Sequence, residues 1–112
     1  MTLTQKLEHI GTALAGAVPN TYHYWRPQMQ EPFCVWAEDG EGSNHWSDNA
    51  KGEQSISGYV DYYTRTEYDP AIDAIQDVLK GITAFPFGWS LYTVDFEDDT
   101  NLIHYQWLWS MA

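Results

Sequence analysis

The apolar positions along this chain change period several times, and each change marks an element. Leu3, Leu7, Ile10, Leu14 and Val18 recur three or four residues apart, the spacing that lines one face of a helix. Thr2 stands where an N-cap belongs and Gln5 follows three residues later, so the two can satisfy each other's backbone donors as a capping box. A helix is expected over residues 3 to about 16, ended by Pro19 and Asn20. Residues 21–25 are aromatic and of strand type. After a turn holding Pro27 and Pro32, the run Phe33, Cys34, Val35, Trp36, Ala37 is a second short strand. The two strands are expected to pair antiparallel.

Residues 38–53 then lose all periodicity and fill with Gly, Ser, Asn and acidic side chains. A loop of this length in a small domain is usually functional, which makes it the expected contact element, with Glu38, Asp39, Glu41, His45, Trp46 and Asp48 as candidate interaction residues and Trp46 as anchor. Beyond it, residues 55–66 form a strand with Ile56, Val60 and Tyr62 on one face and Tyr59 and Tyr63 on the other. Gly58 marks a bulge or a close approach there. Asp69 and Pro70, ahead of Ile72, Ile75, Leu79 and Ile82, predict a second helix over 70–80, capped by Asp69 and followed by Gly81. Asp73 near its start and Lys80 near its end suit the helix dipole.

The remainder reads as a hairpin. Tyr92, Val94 and Phe96 alternate with Thr93 and Asp95 on one arm, and Ile103, Tyr105, Trp107 and Trp109 alternate with His104 and Gln106 on the other. Glu97, Asp98, Asp99, Thr100 and Asn101 make a polar, like-charged tip that discourages edge-to-edge pairing. The element order is α-β-β-β-α-β-β, an α+β fold of two helices packed on a mainly antiparallel sheet. At 112 residues the chain is expected to be a single domain, 1–112, around one core.

Charge narrows the function. The chain holds 16 Asp and Glu against 5 Lys and Arg, a formal net charge of −11, yet 6 Trp, 8 Tyr and 4 Phe distinguish it from a disordered acidic segment. Phosphate-driven nucleic-acid binding depends on Lys and Arg and is not expected, nor is adhesion to an anionic membrane. With no basic leader and no apolar run of membrane length, a soluble, intracellular protein is expected. Cys34 is the only cysteine and reads as a small buried hydrophobe.

No catalytic or metal chemistry is expected, and no cofactor. His9, His23, His45 and His104 lie far apart in sequence and read as surface or edge side chains. The acidic run at 38–42 lacks the ligand order of a calcium loop. Glu97, Asp98 and Asp99 sit at a hairpin tip rather than in a cleft. The six Trp exceed what a small core fully encloses, so some, Trp46 above all, are expected to face a protein partner.

The runs Phe33, Cys34, Val35, Trp36, Ala37, Glu38, Asp39, Gly40 and Ile56, Ser57, Gly58, Tyr59, Val60, Asp61, Tyr62, Tyr63, Thr64 belong to a pattern that continues through Asp69 and Pro70. It closes with Ile103, His104, Tyr105, Gln106, Trp107, Leu108, Trp109. Across nearly the whole chain it resembles the tail-terminator or minor-capsid-type neck proteins of long-tailed bacteriophages and prophages. The resemblance implies a tail-terminator-like subunit with no catalytic residues, acting in the virion neck after assembly in the bacterial cytoplasm. It also implies a ring of copies, commonly a hexamer, contacting the tail-tube protein below and a head–tail connector or stopper above. DNA would pass through an acidic lumen without specific binding.

Two other readings stand beside it. An acidic decoy, such as a DNA mimic or an immunity-type inhibitor of a basic protein, needs spaced carboxylates and a few aromatic anchors, and predicts salt-dependent binding to a nuclease or DNA-binding protein. A head-completion or stopper protein of the same neck is the other.

Overall fold

Thr2 opens the first helix as a capping box requires: its hydroxyl accepts from the Gln5 N–H at 3.2 Å, and the Gln5 Oε1 accepts from the Thr2 N–H at 2.9 Å. The computed structural model describes residues 1–25, 30–41 and 54–112. Its elements are α1 (Leu3–Ala17), β1 (Thr21–His23), β2 (Phe33–Glu41), β3 (Ile56–Thr64), α2 (Pro70–Lys80), β4 (Phe87–Glu97) and β5 (Leu102–Met111), in the expected α-β-β-β-α-β-β order. The strands form one sheet in the order β1-β2-β3-β5-β4. All pairs but one are antiparallel, so the fold is α+β.

The exception corrects the sequence reading. β1 and β2 run parallel, with Thr21, Tyr22 and His23 opposite Cys34, Val35 and Trp36. Parallel neighbours usually need a dozen or more connecting residues; here residues 24–32 separate the three-residue β1 from β2.

A second correction concerns residues 38–53. β2 does not stop at Ala37; it runs on to Glu41, because Gly58, Ser57 and Ile56 of β3 offer pairing partners to Glu38, Gly40 and Glu41. The register shifts between Glu38 and Gly40, and Gly40 takes φ 140°, a conformation open to glycine. Backbone pairing thus overrides the polarity of the side chains. The rest of the expected loop, 42–53, lies outside the described residues.

β3 is buried at Ile56, Gly58, Val60, Tyr62 and Thr64, the face expected from its alternation. That face meets Ile10 and Leu14 of α1, Ile75 and Leu79 of α2, Cys34 and Trp36 of β2, and Trp107 and Trp109 of β5. Each aliphatic side chain so buried contributes roughly 1.5–3 kcal/mol. Gly58 is a close approach: a Cβ there would lie 2.2 Å from the Ala37 carbonyl oxygen and 2.3 Å from Trp109 Cζ2. Trp109 uses that space to donate its indole N–H to the Tyr59 carbonyl at 3.2 Å.

α2 is anchored by its cap. Asp69 Oδ1 accepts from the Ala71 N–H at 2.9 Å, while Oδ2 accepts from the buried hydroxyls of Tyr62 at 2.6 Å and Thr64 at 2.8 Å. One carboxylate therefore joins the helix start to the core face of β3. Burial raises its pKa, but the hydrogen bonds from Tyr62, Ala71 and Thr64 outweigh burial and hold it below the usual Asp value. Gly81 ends the helix at φ −79°, in the right-handed region rather than the left-handed cap its glycine would permit.

Candidate interaction surface

β4 is an edge strand, paired among the described residues only with β5. Register decides its faces. Leu91 lies opposite the buried Trp107, Val94 opposite Tyr105 and Phe96 opposite Ile103, so all three point to the helix side of the sheet. The helices do not reach that far: Phe87 and Trp89 pack against the core, whereas Leu91, Val94 and Phe96 are exposed, Phe96 by 58%. Asp95, opposite His104, and Glu97, opposite Leu102, point to the other side. The register shifts between Leu91 and Thr93, leaving Tyr92 at the bulge and 65% exposed.

The strand therefore presents an apolar row on one side, an acidic row on the other, and a line of outward backbone groups between them. The acidic tip, with Asp98 and Asp99 also exposed, continues the second row. Arg65 steadies this end of the hairpin by donating its Nε–H to the Thr100 carbonyl at 2.9 Å while pairing with Glu31.

At the opposite edge the structure gathers a second cluster. His23 Nε2 lies 2.8 Å from Glu38 Oε1, and the Tyr24 hydroxyl donates to Glu38 Oε2. The His23 ring stacks on Tyr24 and on Trp36, each at 4.0 Å between centroids. Burial raises the Glu38 pKa, yet hydrogen bonds from Tyr24 and His23 prevail and keep it below the ordinary value. Tyr24 sits at φ 78°, a region costing a bulky residue about 1–3 kcal/mol, held by its N–H to the Trp36 carbonyl at 2.9 Å. An open groove of about 700 Å³ runs from this cluster along Leu7, Gly11 and Ala15 of α1. Beyond it, Trp25 is 69% exposed.

Of the residues picked out from sequence, Glu38 belongs to this cluster, while Asp39 turns to β3 and accepts from the Ser57 hydroxyl at 3.2 Å. Glu41 is exposed at the end of β2. The structure does not bring these three together at one point. His45, Trp46 and Asp48 lie outside the described residues. The sequence put Trp46 ahead of the other tryptophans, Trp25 included, and gave no sign of the exposed row on β4, because alternation looks the same on an edge strand as on a central one.

His104 lies on the internal strand β5 rather than at an edge and is half-buried: its Nε2 is 3.0 Å from Asp61 Oδ1, and its ring stacks on Tyr63 at 4.2 Å. Asp61 Oδ1 also accepts from Gln106 Nε2 at 2.8 Å, so the trio braces β3 against β5. The described residues contain no group of three His, Cys, Asp or Glu placed to hold a metal ion. No described helix is long and apolar enough to cross a membrane. No protein-family model matches the chain, and no curated protein matches its sequence.

Proposed function

We propose that the chain is a structural virion protein at the head-proximal end of a bacteriophage or prophage tail. There a ring of copies ends tail-tube polymerisation and presents the surface for head–tail joining. The observation that supports this reading is the exposed edge of β4, where Leu91, Val94 and Phe96 stand exposed beside backbone that no other described strand pairs. Such a strand is suited to contact with a different protein, as the tail tube or the connector would be, and leaves the other faces of the subunit for contact between copies. At the far edge of the same sheet the exposed Tyr24 and Trp25, beside His23 stacked on the buried Trp36, supply a second candidate.

Electron microscopy of tube protein polymerising with and without the chain tests this. Tubes should lengthen without limit in its absence and stop when it is added. Unchanged tube length would move the assignment to a connector or stopper on the head side.

A decoy of a basic protein is favoured by one observation, the exposed carboxylates of Asp95, Glu97, Asp98 and Asp99 beside the same apolar row. That reading requires a stoichiometric, salt-sensitive complex with a nuclease or DNA-binding protein and no effect on tubes.

A further inference from the structure

The β4 edge has a chemistry that selects its occupant. A strand added beside residues 93–97 would place every second side chain next to Val94 and Phe96, and the intervening ones next to Asp95 and Glu97. We infer that this edge receives an extended segment of a different protein in which apolar and basic residues alternate. The inference rests on reading the hairpin as a contact surface and names the chemistry of its partner.

Charge argues for a different protein rather than a second copy. Two β4 strands paired edge to edge would set their Asp95 and Glu97 carboxylates on the same narrow strip, where like charges across strands are destabilising. The Lys and Arg of the described residues are Lys6, Arg65 and Lys80. Lys6 is engaged with the Ala112 carbonyl at 2.8 Å and Arg65 with Glu31 and Thr100, so the described residues offer the acidic row little cationic surface beyond Lys80. A basic strand answers both rows at once.

The edge is also prepared for docking. Val94 and Phe96 are exposed before any partner arrives, the bulge at Tyr92 marks where regular pairing begins, and Arg65 holds the tip. Binding there needs no rearrangement of the core, which favours a preorganised contact.

The probe is a fluorescein-labelled octapeptide of alternating valine and lysine, titrated into the full chain and followed by anisotropy, with amide hydrogen exchange reporting where it sits. Saturable binding is expected, with protection of amides in residues 93–97. It should weaken on the order of tenfold in the D95K/E97K variant and fall as salt rises. Phe96→Thr keeps strand propensity and should weaken it from the apolar side.

The same peptide with glutamate for lysine, or with N-methyl groups on alternate backbone nitrogens, should not bind. Equal binding of the N-methylated peptide, protection elsewhere than β4, or protection of residues 93–97 that grows with the chain's own concentration would overturn the inference. A chain that stops tube growth yet ignores the peptide loses this inference and keeps the proposed function. Peptide binding at β4 without any effect on tubes supports the inference and removes the tail assignment.

Discussion

Removing the Asp69 carboxylate should cost this protein a large share of its stability. In Asp69→Ala the α2 cap is lost, a change typically worth about 1 kcal/mol. The hydroxyls of Tyr62 and Thr64, each 1% exposed, also lose the acceptor they share. Hydrogen bonds to a charged group contribute roughly 1.5–3 kcal/mol each, but all of these bonds share one carboxylate and their losses overlap. The expected penalty is about 4 kcal/mol, against a total of roughly 5–15 kcal/mol for a domain. Asp69→Asn keeps an oxygen for the cap but turns an amide donor toward the two hydroxyls, and should cost about 2–3 kcal/mol. Tyr62→Phe removes one partner only and should cost about 1.5 kcal/mol.

Urea unfolding followed by the fluorescence of the buried Trp107 and Trp109 measures all three. At a slope of about 1.5 kcal/mol per molar, Asp69→Ala shifts the midpoint by more than about 2 M. The pH dependence is a second check. Because the folded Asp69 titrates below its ordinary value of 3.8, its stabilisation is present above that value and is lost as pH falls toward the folded one. The gap between wild type and Asp69→Ala should therefore narrow in that acid range. A penalty under about 1 kcal/mol at neutral pH would refute the idea that this carboxylate ties α2 to the sheet.

Gly58→Ala should destabilise by at least about 2–3 kcal/mol and shift the Trp109 emission, since the new methyl meets both the Ala37 carbonyl and the indole; a neutral melting curve would count against the packing described. Burial pushes the Cys34 thiol up to about 12, so Ellman's reagent should react slowly with the native chain near neutral pH and rapidly once urea unfolds it; equal rates would show the thiol to be accessible. Tyr62 is held above its ordinary value of 10.0, first by burial and then by Asp69, so the folded state resists its ionisation. Stability should be fully present below that value and decline as pH rises beyond it, and Tyr62→Phe should flatten this alkaline limb in the same melts. Phe96→Thr should change the midpoint by no more than about 0.5 kcal/mol equivalent, because the ring is exposed; a larger loss would mean that it packs within the chain.

Much of this architecture is local and therefore legible in the sequence. The capping box of Thr2 and Gln5, the Asp69 and Pro70 start of α2, and the alternation of β3 all depend on residues within a few positions of one another, and each appears where the pattern puts it. Gly58 was recognisable as a special position, but only the sheet shows that the indole of Trp109, far along the chain, occupies its missing side chain. Pairing partners decided what composition could not. Glu38 to Glu41 carry loop-like side chains and still join β2, because β3 is there to bond them. The parallel course of β1 likewise follows from where β2 lies.

The same distinction governs the candidate surface. Composition and periodicity already specify an acidic chain rich in aromatics, with strands of alternating polarity and a sheet-and-helix fold. Tertiary structure alone decided which alternating strand became the edge. Tyr105 and Val94 both sit in alternating runs, yet β5 lies between two strands and packs its Trp107 and Trp109 under the helices, whereas β4 has, among the described residues, a neighbour on one side. Burial is a property of what surrounds a residue, and the described residues leave Leu91, Val94 and Phe96 about half exposed.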